Sequence, residues 1–129
     1  MNNLSERQNI GAKGEQIASD YLKSKGFKII EINYRCKRGE LDIIAMENDI
    51  LVFVEIKTRK PDYLKQPFVS VTRSKEKKVL SIADYYIYKN RIRNTRTRFD
   101  VISIVLDTPK PEIKHFRGAF GTWQDEYSR

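Results

Sequence analysis

Twelve residues lie between Asp42 and Glu55, and Lys57 follows Glu55 with one residue between them. Two acids and a lysine are the residue types that hold a divalent cation and steady a water attacking phosphorus. All three lie in GELDIIAMENDILVFVEIKTRK, Gly39 to Lys60, whose aliphatic and β-branched residues otherwise read as two apolar strands. If Asn48 and Asp49 form a two-residue hairpin loop, Glu47 pairs with Ile50, Asp42 falls opposite Glu55 and Glu40 opposite Lys57. The period of two then sets all four charges on one face with Ile44 and Phe53. It leaves Leu41, Ile43, Val52, Val54 and Ile56 on the other.

Facing carboxylates sit roughly 5 Å apart across a ladder, and at an effective dielectric of about 20 they repel by about 3 kcal/mol. Something must compensate. Mg²⁺ would do so, since it takes one or two carboxylates together with carbonyls, waters and phosphate oxygens. Lys57, on the same face, would hold an attacking water or offset charge in the transition state. The alternative is an ordinary salt-bridge cluster in which Lys57 and Arg59 neutralise the acids at a solvated sheet end. The apolar remainder of the face weighs against it.

The elements that must position these residues follow from patterning. Helical spacing of Ile10, Gly14, Ile17, Ala18, Tyr21 and Leu22 predicts a helix over 5–25, stopped by Gly26. FKIIEINYR, residues 27–35, predicts a strand before the hairpin. Residues 58–71, with Pro61 and Pro67, predict a loop. A second helix is expected from Thr72 or Ser74 to Lys89, then a strand over 98–106 and a short edge strand over 113–116. The order helix-strand-strand-strand-helix-strand defines an α/β fold, a mixed β-sheet flanked by helices. Glu15 shares a helical stripe with Gly11, Ala18 and Leu22, which directs it either toward the sheet or, as the alternative, to solvent.

The 129 residues suit one domain, 1–129, with 118–129 expected as a loosely ordered tail. Lys and Arg total 25 against 17 acids, a formal charge of +8 that favours a polyanionic partner. One cysteine and one histidine exclude an intramolecular disulfide, a Cys/His zinc site and a nucleophile–histidine triad. With no apolar signal core and no apolar run long enough to span a bilayer, a cytoplasmic setting without membrane contact is expected.

Asp42, twelve residues, then Glu55-Ile56-Lys57 resembles the PD-(D/E)xK nuclease motif in its form lacking the proline, and the element order resembles that restriction-endonuclease-like core. Glu15 with GELD and VEIK is similar to the archaeal Holliday-junction resolvase branch. GAKGEQIASDYLKSKGFKII, NYRCKRGELDIIA, LVFVEIKTR, the 75–83 region and RFDVI resemble the YraN-like family of endonuclease-related bacterial proteins. The resemblance covers about residues 9 to 120 and implies Asp42, Glu55 and the Ile56 backbone carbonyl as holders of Mg²⁺ or Mn²⁺. It implies Lys57 as the catalytic lysine, Glu15 as an acid completing the metal site, and Glu40 as a supporting acid.

Arg73, Lys75, Lys77 and Lys78 crowd the start of the second helix, where the dipole disfavours cations unless phosphate is bound. A solvated basic face is the alternative; Lys75 and Lys78 match basic positions of the family. Arg59, Lys60 and Lys65 with Tyr63 and Phe68 form a candidate flap, and Arg91, Arg93, Arg96 and Arg98 a second basic run, in which Arg98 could instead pair with a site acid. The expectation is a metal-dependent endonuclease acting on DNA, with branched or flapped DNA favoured by resemblance; two copies, if they pair as a homodimer, could cut two strands symmetrically. A non-catalytic nucleic-acid-binding protein of the same fold, or a factor presenting its basic surface to an acidic protein, are the alternatives.

Overall fold

A computed structural model describes residues 3–61, 72–106 and 109–120 of the chain. The elements are α1 (Asn3–Ser24), β1 (Lys28–Cys36), β2 (Gly39–Glu47), β3 (Ile50–Arg59), α2 (Arg73–Lys89), β4 (Arg96–Val105) and β5 (Glu112–Phe116). The five strands lie side by side in chain order. β3 and β4 are parallel and every other neighbouring pair is antiparallel. A parallel neighbour cannot be reached by a tight turn, and α2 lies in the connection that carries the chain across. The expected mixed sheet with flanking helices is therefore present, and the edge strand expected near Ile113 is β5.

Local chemistry sets the helix ends. α1 stops where Gly26 adopts φ 92° and Phe27 N–H returns to the Leu22 carbonyl at 3.0 Å. α2 starts at Thr72, whose hydroxyl accepts from Lys75 N–H at 3.1 Å. One face of the sheet packs Leu41, Ile44, Phe53, Phe99 and Val101 against Val79, Ile82, Ala83 and Tyr86 of α2. The other packs Ile43, Ala45, Val52, Val54, Ile102 and Ile104 against Ala18 and Leu22 of α1. Close approach of α1 is set by Gly14, where a Cβ would lie 2.0 Å from Thr58 Oγ1.

The hairpin register runs from Glu47↔Ile50 to Ile43↔Val54, as counting from Asn48-Asp49 predicts. Leu41 departs from that count: it joins the α2 cluster instead of lying with Ile43 on the α1 side. β1 explains the switch. Ile32 pairs with Ile43 and Tyr34 with Leu41, so Asn33 stands between them opposite Asp42, and Asn33 has φ 56°. A left-handed residue inside a strand rotates the chain and exchanges its faces. Of the segment expected as a tail, Ala119 N–H reaches the Phe99 carbonyl at 2.8 Å and Phe120 is buried against the Phe99 ring, while 121–129 lie outside the described residues.

Candidate active site

The two acids do meet. Glu55 is 5% exposed, Asp42 is half-buried, and the two carboxyls face each other closely enough for the charge of one to act on the other. Burial and the facing Glu55 charge push the Asp42 pKa up to about 7, against the opposing pull of the Ile56 N–H. That N–H donates to Asp42 Oδ2 at 2.7 Å. Past Ile43↔Val54, then, β3 finds a side-chain acceptor where a regular hairpin would offer a β2 carbonyl. The face exchange at Asn33 coincides with this point.

Two lysines flank the pair. Lys57 Nζ stands 3.8 Å from Glu55 Oε2, and Lys75 Nζ, from the first turn of α2, stands 2.9 Å from the same oxygen. Both side chains remain more than a third exposed, so their ammonium groups reach from solvent onto a buried carboxylate. Lys75 was expected on the surface with its neighbours as a phosphate contact. Docking of α2 turns it inward, while Arg73, Lys77 and Lys78 stay exposed at the same helix end. Lys78 lies across Gly39, where its Cε would be 2.8 Å from an added Cβ.

The remaining expected residues are distributed around this centre. Glu15 accepts from Asn33 Nδ2 at 3.2 Å, one residue removed from the site, because Asn33 is the residue opposite Asp42. Asn33 is thus a site element that composition and spacing did not flag. Glu40 turns away from the acids: it faces Arg35 across the β1–β2 ladder and pairs with it at 3.0 Å, both side chains largely exposed. The face exchange that moves Leu41 removes Glu40 from the side of Lys57. Arg59 ends β3, where its carbonyl accepts from Leu106 N–H, and its side chain is half-buried. Tyr63, Lys65 and Phe68 fall outside the described residues.

Arg98 corrects the expectation of a nucleic-acid contact. Its guanidinium binds Asp100 through two bonds of 2.8 and 2.9 Å and Glu47 at 2.8 Å, with 15% of the side chain exposed. Asp100 is fully buried and also meets His115 Nε2 at 2.8 Å and Gly118 N–H at 3.1 Å. His115 Nδ1 stands 3.2 Å from the Tyr21 hydroxyl of α1, and Arg117 pairs with Glu47. Burial alone would raise the Asp100 pKa; the Arg98, His115 and Gly118 bonds outweigh it and hold the carboxyl below its ordinary value. A signal was present in RFDVISIVL, since Arg98 and Asp100 share one face of an otherwise apolar strand.

Among the described residues no three His, Cys, Asp or Glu side chains stand close enough to hold a metal ion. Two facing carboxyls are the one or two hard protein donors that Mg²⁺ or Mn²⁺ takes, so Asp42 and Glu55 fit such an ion.

Fold and site together define an α/β protein whose five-stranded mixed sheet brings a buried carboxyl pair and two lysines to the edge of α2. The chain belongs to the uncharacterised protein family UPF0102, whose model matches residues 14–104. It is 47% identical over 110 residues to a UPF0102 protein of Clostridioides difficile, covering 85% of this chain and 95% of that one. It is 43% identical over 113 residues to one from Alkaliphilus oremlandii, covering 86% and 97%, and 39% identical over 113 residues to one from Geobacter metallireducens, covering 88% and 93%. Among the described residues no helix is long and apolar enough to cross a membrane.

Proposed function

We propose that the protein is a Mg²⁺- or Mn²⁺-dependent endonuclease that hydrolyses phosphodiester bonds in DNA. The observation that carries the reading is the facing of Asp42 and Glu55, a like-charge pair kept in a folded domain with Lys57 and Lys75 both reaching Glu55. Asp42, Glu55 and the Ile56 carbonyl would hold the ion. When bound, it supplies Lewis-acid neutralisation of the phosphodiester and activation of a water. Lys57, whose ammonium reaches the same carboxyl from the exposed side, would orient that water or offset charge developing on the phosphate. Glu15 acts through Asn33, fixing the strand beside Asp42. The exposed Arg73 and Lys78 with Arg59 supply phosphate contacts, and the net charge of +8 draws a polyanion to them.

Labelled four-way, flap and linear DNA incubated with the protein and Mg²⁺, Mn²⁺ or EDTA tests this. Metal-dependent cutting is expected, abolished in Asp42→Asn and reduced at least about a hundredfold in Lys57→Ala with DNA binding kept. Binding that never leads to cutting with either metal would favour a non-catalytic nucleic-acid-binding protein instead.

A further inference from the structure

We propose that Lys75 is the resident counter-cation of the acid pair: it yields Glu55 to the divalent ion and carries its charge to the substrate phosphate. The inference rests on the nuclease reading and adds a positioning residue that couples metal binding to DNA binding. Lys75 Nζ lies 2.9 Å from Glu55 Oε2, the closer of the two ammonium contacts to that oxygen. Glu55 is 5% exposed, so a charge there requires a cation beside it. Lys75 is the third helical residue after the Thr72 cap, so the backbone of its turn is fixed while its four-carbon stem remains free to swing. Its side chain is 37% exposed, which leaves it an outward path.

Two cations cannot share one oxygen face without repulsion. A divalent ion arriving at Asp42 and Glu55 therefore displaces the ammonium, which stays tethered at the N-terminus of α2, where phosphate is favoured and a lysine is not. Metal-free protein would hold Lys75 inward and bind DNA with one cation fewer. Metal-loaded protein would present it.

Calorimetric titration of Mn²⁺ into the wild type and into Lys75→Gln reads the first half directly, without turnover. Loss of the competing ammonium is expected to tighten Mn²⁺ binding by roughly three- to tenfold, less than a fixed charge would give because the stem can swing aside. Lys75→Met, which keeps the apolar stem, should do the same, and Lys75→Arg should hold the wild-type affinity. Lys77→Gln removes an equal charge from the exposed side of the helix and should change nothing. The second half is read in the cleavage-deficient Lys57→Ala protein, where Mg²⁺ should tighten DNA binding more with Lys75 present than with Lys75→Gln. Unchanged or weaker Mn²⁺ affinity in both folded variants overturns the inference and leaves the nuclease reading intact. Absence of Mn²⁺ binding in wild type and variants alike removes the nuclease reading and the inference with it.

Discussion

The sheet carries two acidic sites, one at the buried Asp100 and one where the half-buried Asp42 faces the buried Glu55, and they are satisfied in opposite ways. Asp100 is surrounded by fixed donors: a bidentate arginine, an imidazole and a backbone N–H, all within 3.1 Å. Its pKa is held down, and its carboxylate ties β4 to β5 and, through His115 and Tyr21, to α1. Asp42 has one backbone donor and a second carboxyl for a neighbour, and its pKa is driven up to about 7. The cations near the pair are lysines on flexible, partly exposed stems. One arrangement is complete as it stands; the other is complete only with a proton or a further cation. That difference separates an acid that holds a fold from a pair suited to hold a ligand.

The largest effect should come from breaking the complete site. Asp100→Ala leaves Arg98 and His115 buried without their carboxylate, a loss on the order of 3–5 kcal/mol in urea unfolding. With the folded pKa depressed, the Asp100 contribution is present above the unfolded carboxylate value and fades as pH falls below it toward the folded one.

Asp42→Asn should act in the opposite sense. Between 3.8 and about 7 the folded protein keeps a proton on Asp42 that the unfolded chain has released. Stability therefore falls as pH rises through that window and is level above it. Asparagine still accepts the Ile56 N–H and carries no charge, so at pH 8 the variant should be more stable by on the order of 1–3 kcal/mol, with the pH slope flattened. The same proton competes with metal, so Mn²⁺ affinity of the wild type should weaken as pH drops below about 7. A destabilised Asp42→Asn at pH 8 would mean that the pair is a structural tie like Asp100.

Much of this contrast is legible in the sequence, for identifiable reasons. The Asn48-Asp49 turn and the period of two set the register that brings Asp42 to Glu55, because each strand has one correct face against the core. The Thr72 cap marks the start of α2. What the sequence concealed depends on tertiary placement. Nothing local announces that Asn33 adopts φ 56° and exchanges the faces of β1 and β2, which moves Leu41 to the α2 side and Glu40 to Arg35. Which of four basic residues at the start of α2 turns inward is decided by how the helix docks, and it is Lys75. Of the partners of Arg98, Asp100 is two residues along its own strand and legible there, while Glu47 lies fifty-one positions away on β2 and is brought near only by the fold.

α1 reaches both sites through a neighbour: Gly14 packs on Thr58, Glu15 meets the Asn33 that stands opposite Asp42, and Tyr21 meets the His115 that bonds Asp100. Gly14→Ala gains helix propensity of about 1 kcal/mol but drives a Cβ into Thr58, only 2.0 Å away, and overpacking of this kind costs about 1–3 kcal/mol. A net loss of up to about 2 kcal/mol is expected, recovered at least in part by Thr58→Ala in the same chain, which removes the Oγ1 that the new methyl meets. Recovery of stability together with Mn²⁺ affinity would show that the seat of α1 also sets the geometry beside Asp42. An additive double variant would place the strain elsewhere.

The smallest effect is expected at Glu40, and it sharpens the comparison because Glu40 is an acid two residues from Asp42 that belongs to neither site. Its side chain is 54% exposed and its partner Arg35 74% exposed. An ion pair in that setting is screened and contributes about 0–1 kcal/mol, so Glu40→Gln should unfold within about 0.5 kcal/mol of the wild type. Mn²⁺ affinity should also be unchanged, since the face exchange at Asn33 directs Glu40 to Arg35 instead of Lys57. A Glu40→Gln protein that loses Mn²⁺ binding as Asp42→Asn does would return Glu40 to the supporting role that the family resemblance implies for it. The exchange of faces between Leu41 and Ile43 would then have to reverse when the ion binds.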